Sequence, residues 1–261
     1  MLKAGLVSVT FRQLSPQQII SLCVEAGLSG IEWGGDIHVP HGDMARAVKV
    51  AEYTQGAGLE VVSYGSYYRA DSDEAVPNTF TKVLETALAL GAPSIRIWAG
   101  NKGSGQASVA YWNGVVETIR RDADQAGQVG ISLCLEHHGN TLTDTAGSTL
   151  ALLDAIHHPN VRTYWQPSFN QTPADRLEEL SSLLPWLRHL HVFQWNGVER
   201  KPLEEGQEEW IPYLRTASAK GEHLGRYALL EFVQEDEPEY LLRDAKVLRG
   251  WIGKISESNN T

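Results

Sequence analysis

Eight short apolar runs of strand length recur along this chain, and an amphipathic stretch of helical period follows each in turn. The runs are AGLVSVTF (4–11), SGIEWGG (29–35), LEVVSYG (59–65), SIRIWAG (94–100), ISLCLEH (131–137), VRTYWQP (161–167), HLHVFQW (189–195) and YALLEFV (227–233), with starts 25 to 38 residues apart. Near-continuous apolar strands alternating with helices predict a parallel sheet covered by helices, and eight such units close a barrel. The first helical stretch carries its own punctuation, with Ser15 at the N-cap, Pro16 at the first helical position and Gly27 after the last turn. The segments TKVLETALALGAP, DRLEELSSLLPWL and PEYLLRDAKVLRGWIG repeat that grammar. A doubly wound open sheet is the competing arrangement, but SVTFRQL stands after the first strand where a GxGxxG would be required. No Gly/Pro-rich linker interrupts the pattern over 261 residues, so the expectation is one (β/α)8 TIM barrel domain spanning 1–261.

Charge narrows the partners. Lys and Arg number 22 against 32 Asp and Glu, a formal net charge of −10, with no basic cluster to override it, which argues against binding a nucleic-acid backbone. No run of about 18 apolar residues predicts a membrane span, and MLKAGLVSVTFRQ lacks the basic start and sustained apolar stretch of an export signal. Cys23 and Cys134 lie in apolar runs, as buried thiols in a reducing compartment do, so a cytoplasmic protein is expected.

In a barrel of this kind chemistry sits at the C-terminal ends of the strands. Four polar residues stand there beyond apolar neighbours: Glu136 ends ISLCLE, Gln166 ends VRTYWQ, His191 sits in HLHVFQ and Glu231 ends ALLE. Two carboxylates, an imidazole and an amide oxygen form a mixed set suited to one divalent ion, Mn²⁺, Mg²⁺, Co²⁺ or Zn²⁺. Glu136 and Glu231 are read as ligands rather than salt-bridged structural groups because Glu is rarely buried unpaired. Gln166 either ligates or hydrogen-bonds a ligand or substrate. Of the other histidines, His137 points to the opposite face, His38 and His41 fall in a solvated loop, and His157 and His158 cap a helix end. Trp33, Tyr64, Trp98, Phe169 and Trp195 crowd the same rim, where apolar ring faces would pack against the CH faces of a sugar or cyclic polyol. Arg96 and Lys201 are the cations placed to anchor an anionic or carbonyl group.

CLEHHGN, LHVFQW, RKPLEEGQEEW and LLEF resemble the xylose isomerase-like barrels, a family of sugar isomerases and epimerases, over most of the chain. The resemblance implies a metal held by Glu136, Gln166, His191 and Glu231, with His138 touching substrate or moving a proton, and an assembly of subunits as such barrels commonly form. The chain departs from the family where Gln166 replaces the usual Asp, Phe169 replaces the His three residues later, and Gln194 replaces the Asp after the seventh-strand His. Exchanging Asp for Gln keeps an oxygen donor and removes one negative charge, which weakens metal binding.

The chemistry natural to this set is proton abstraction next to a carbonyl, with the metal stabilising an enediolate. The leading expectation is a sugar isomerase or epimerase with Glu136 and Glu231 as the acid/base pair. A dehydratase of a cyclic hydroxyketone, using Glu136 and His138, is the second. A metal-free sugar-binding or regulatory barrel, motivated by Gln166 and Gln194, is the third. The multi-zinc nuclease branch needs more His and Asp at strand ends than this chain has.

Overall fold

The computed structural model describes residues 2–71, 79–169, 171–218 and 225–258. The apolar runs become the parallel strands β1 (Leu2–Val7), β2 (Gly30–Gly34), β3 (Glu60–Arg69), β4 (Ser94–Trp98), β5 (Ser132–Leu135), β6 (Val161–Trp165) and β7 (Leu187–Val192). A small hairpin, β8 (Trp195–Asn196) and β9 (Glu199–Arg200), then precedes the eighth barrel strand, β10 (Arg226–Leu230). The barrel closes in the order β1-β10-β7-β6-β5-β4-β3-β2, as the alternating pattern predicts. Around it lie α1 (Pro16–Glu25), α2 (Met44–Gly56), α3 (Thr79–Leu90), α4 (Val109–Gln128), α5 (Ala146–Ile156), α6 (Pro173–Leu183), α7 (Gln207–Ala217) and α8 (Pro238–Ser258).

Local chemistry starts and stops these elements where expected. Ser15 and Gln18 form a reciprocal capping box at the head of α1 with Pro16 inside it, and Thr172 and Asp175 do the same for α6 with Pro173. Strands buried on both faces divide the apolar side chains into two groups. The larger fills the space between strands and helices, and a smaller one, Val7, Val9, Val62, Cys134, Tyr164, Tyr227 and Leu229, plugs the barrel interior. Both cysteines are free and buried, and burial pushes the Cys134 thiol up to about 12, which makes it inert. Among the described residues no helix is long and apolar enough to cross a membrane.

Two departures from the strand expectations shape the mouth of the barrel. The first apolar run extends to residue 11, but β1 stops at Val7 and Ser8–Phe11 winds into a 3-10 turn, with Gly34 N–H donating to Ser8 Oγ at 2.8 Å. That turn carries Arg12 to the rim. The third strand runs on past residue 65 through an irregularity in its pairing with β4, between Gly65 and Arg69. There Tyr67 takes φ 57°, a conformation that bulky residues rarely adopt without tertiary support.

Candidate active site

Strand alternation brings Glu32 (β2), Arg96 (β4), His191 (β7) and the strand-end residues Glu136, Gln166 and Glu231 together at the C-terminal mouth. Gly65 makes room for them: a Cβ there would lie 2.7 Å from Arg96 Nη2 and 2.9 Å from Glu32 Oε1. Arg96 is buried between two carboxylates, donating from Nε to Glu32 Oε1 at 2.7 Å and from Nη1 to Glu136 Oε2. Trp98 Nε1–H donates to the same Glu136 oxygen.

His191 holds the centre. Its Nδ1 lies 3.1 Å from Gln166 Oε1, 3.3 Å from Glu231 Oε2 and 3.5 Å from Glu136 Oε1, while Nε2 faces Glu32 Oε1 at 3.7 Å. One donor atom each from Glu136, His191 and Glu231 fall within 4.8 Å of one another. The electrostatics follow from this crowding. Burial alone would raise the Glu32 carboxyl, but Arg96 and His191 outweigh it and hold it near about 2. Burial opposes ionisation of Glu136 too, and Arg96 and His191 again prevail, keeping it well below the usual carboxylate range. Burial disfavours a charged His191, yet Glu231, Glu136 and Glu32 raise it well above 6.5.

Three carboxylates outnumber Arg96, and still outnumber Arg96 and a protonated His191 together. Buried charge of one sign demands a counter-ion. The donors suit a divalent metal, with Nδ1 of His191 turned toward Glu136 and Glu231 and Nε2 facing Glu32 beyond hydrogen-bond distance. Glu32 Oε2 and His191 Nε2 have no hydrogen-bond partner as they stand.

Above this cluster opens a pocket of about 690 Å³ including its mouth, within the range of small-molecule sites. His138, half-buried, forms part of its wall, its ring 5.1 Å from that of Trp98. Its Nδ1 lies 2.7 Å from Gly139 O, and a carbonyl only accepts, so in the neutral ring Nε2 carries the lone pair. Phe169, Phe193, Trp195 and Phe232 form an aromatic wall, with Phe169 stacked on Phe193 at 6.0 Å and 54% exposed.

Of the residues singled out from sequence, Glu136, Glu231, His138, Gln166, Arg96, Trp98, Phe169 and Trp195 all line this pocket, and His191 lies buried beneath it. Tyr64 does not: it faces the helices, its hydroxyl donating to Val39 O at 2.7 Å. Trp33 is likewise turned outward, with Nε1 donating to Thr54 Oγ1, because its neighbour Glu32 points inward. Lys201 lies off the pocket wall, paired with Glu199 at 2.7 Å beyond the hairpin. Arg96 is accessible only at its edge, its charge spent on Glu32 and Glu136. His38 is buried against Ser8 and Leu14 rather than solvated, and His137 packs on Ser168 and Glu179, away from the pocket.

Four lining residues escaped the sequence reading. Phe193 stands two residues past His191, where alternation alone could have flagged it, and Phe232 follows Glu231 directly. Arg12 and Tyr67 carried no such signal, because the turn and the bulge that aim them break strand periodicity.

A family model for the xylose isomerase-like TIM barrel matches residues 20–249. A 3-dehydroshikimate dehydratase from Bacillus anthracis is 28% identical over 95% of this chain and 96% of its own length. The crystal structure of a "probable 3-DHS dehydratase" involved in petrobactin synthesis, also from Bacillus anthracis, superposes with a TM-score of 0.78 at 24% identity, covering 95% of this chain and 99% of that one. An L-ribulose 3-epimerase superposes with a TM-score of 0.75 at 16% identity, covering 100% and 97% of the two chains.

Proposed function

The chain belongs to the xylose isomerase-like TIM barrel family, and from that footing we propose that it is a divalent-metal-dependent dehydratase of a hydroxylated cyclic ketone, of the 3-dehydroshikimate type. The observation that carries this reading is the contrast between Glu136 and His138. An epimerase with Glu136 and Glu231 as its acid/base pair needs both carboxylates able to take a proton. Glu136 is bonded by Arg96 and Trp98 and held far below the usual range, which makes it a poor base and a good ligand. His138 offers an imidazole lone pair at the pocket wall instead.

In the proposed mechanism Glu136, His191 and Glu231 would hold the metal, with the Gln166 amide oxygen as a fourth ligand. When bound, the ion supplies Lewis acidity at the substrate's carbonyl oxygen. His138 Nε2 removes the proton on the carbon beside the carbonyl. The C–H electron pair becomes a new C=C bond as the C–O bond one carbon further breaks, and the departing hydroxide takes that proton to leave as water. A ring that already holds one C=C and a ketone then needs only a keto–enol shift to become aromatic, which supplies the driving force. Arg96 keeps Glu136 anionic throughout. The aromatic wall presses on the ring faces and excludes water.

The test is to add 3-dehydroshikimate to the Mn²⁺-loaded protein and follow ultraviolet absorbance. An aromatic chromophore should appear, and His138→Gln should lower kcat by about 10²–10⁴-fold, the usual worth of a positioned base. Absence of the chromophore, together with solvent-proton exchange into a ketose that survives His138→Gln, would return the epimerase reading to the front.

A further inference from the structure

The pocket has two guanidiniums on its wall, and they are not equivalent. Arg96 is buried and its charge is cancelled by Glu32 and Glu136. Arg12 stands at the rim with its side chain 43% exposed. Three contacts fix its plane: Nε donates to Asp36 Oδ2 at 2.8 Å, Nη1 to Val9 O at 3.2 Å and Nη2 to Tyr67 Oη at 2.9 Å. A guanidinium has five N–H bonds, so one on each terminal nitrogen remains uncommitted among the described residues. A planar fork held on three sides with two donors to spare suits a carboxylate.

Arg12 follows β1 and His138 follows β5, strands four places apart around a closed ring of eight, and the Arg12 guanidinium reaches over to Asp36 beyond β2 and to Tyr67 near the end of β3. Phe232, whose backbone N–H is tied to Thr10 Oγ1 of the same rim turn, puts an aromatic face beside Arg12, its ring centre 6.0 Å from Cζ.

We infer that Arg12 is the residue that reads a substrate carboxylate, so that the pocket selects cyclic ketones carrying an acid group on the ring. This rests on the proposed dehydratase reading for the ring chemistry, but its geometric basis is separate. The strained Tyr67 backbone has a use here, since its hydroxyl braces Nη2. The two cations divide the work: Arg96 neutralises the buried cluster, and Arg12 discriminates among ligands.

The experiment compares 3,4-dihydroxybenzoate with 3,4-dihydroxybenzamide, which differ only in the charged group, by quenching of tryptophan fluorescence in the Mn²⁺-loaded protein. Trp98 and Trp195 on the pocket wall supply the signal. The wild type should bind the benzoate about ten- to hundredfold more tightly, the worth of a charge-assisted pair of hydrogen bonds. Arg12→Gln should erase that preference by weakening the benzoate alone, and Arg12→Lys, which keeps charge but not the fork, should retain part of it. With an acidic substrate, Arg12→Gln should raise KM more than it lowers kcat. Tyr67→Phe removes only the brace and should reduce the preference severalfold, which guards against a misfolded Arg12 variant. An unchanged benzoate-to-benzamide ratio in Arg12→Gln, or no preference in the wild type, overturns the inference. Because binding needs no turnover, a protein that discriminates through Arg12 yet forms no chromophore keeps this assignment while overturning the dehydratase reading.

Discussion

At the scale of the residue, the site is a charge cluster packed around a missing side chain. Gly65 is required by the Arg96–Glu32 pair, since any Cβ at that point meets both partners below normal contact distance. Gly65→Ala should therefore cost about 1–3 kcal/mol, as overpacking of a well-filled site does. It should also weaken Mn²⁺ binding, because displacing Arg96 releases Glu136. Urea denaturation and a metal titration check the two effects, and wild-type values in both would show that the cluster yields without loss. Much of this cluster was legible in the sequence, because charged or polar side chains after apolar strands have few other uses, and Glu136, Gln166, His191 and Glu231 were found that way. Tyr64, expected at the rim, turns outward with its β2 partner Trp33, while Tyr67, which carried no signal in the sequence, lines the pocket. The bulge between Gly65 and Arg69 resets the side-chain direction, and single-residue periodicity holds no trace of it.

At the scale of the element, helices are tied to strands by a few buried polar contacts as well as by apolar faces. Glu179 of α6 accepts from Trp165 Nε1 on β6 at 3.0 Å and Gln171 Nε2 at 2.9 Å, and lies 3.2 Å from His137 Nε2 just past β5. Burial alone would raise its carboxyl, but those hydrogen bonds and the imidazole lower it below the ordinary value of 4.5. A depressed folded-state value means the contribution is complete above the unfolded carboxylate pKa and is lost as the pH falls through the folded one. Glu179→Gln should cost about 1–3 kcal/mol at neutral pH and should flatten the acid limb of a stability curve as the pH falls below the ordinary carboxylate value. Thermal melts at stepped pH measure it, and an acid limb as steep as that of the wild type would put the titration elsewhere. The head of α1 was readable from Ser15 and Pro16, because capping is a local matter, and Thr172 and Pro173 mark the head of α6 in the same way, two residues before the segment expected from sequence. The contact between Glu179 and His137 spans forty-odd residues of chain and exists only once β5, β6 and α6 are packed.

At the scale of the whole molecule, the barrel gathers charge that no open sheet could hold. The chain carries a net −10 overall, and its mouth keeps at least one uncompensated negative charge even with His191 protonated. Eight strands aim their ends at one point, so Glu136, His191 and Glu231, distant in sequence, are placed where they could share one cation, and on the proposed reading the fold and the ion should stabilise each other. Binding to the folded state alone adds RT ln(1 + [L]/Kd), about 2.7 kcal/mol at a hundredfold excess over Kd. For a domain of this size that corresponds to a rise in Tm of about 5–10 °C. Stripping the protein with a chelator and restoring Mn²⁺ should move the melting temperature down and up by that amount. Glu136→Ala and Glu231→Ala should each abolish the response, whereas Lys201→Ala, on the hairpin side and off the pocket wall, should leave it intact. A metal-induced shift that persists in both glutamate variants would place the cation elsewhere on the acidic surface. No shift in the wild type at millimolar Mn²⁺ would mean that Gln166 in the sixth-strand position has cost the site its ion, leaving a barrel that binds its ligand without turning it over.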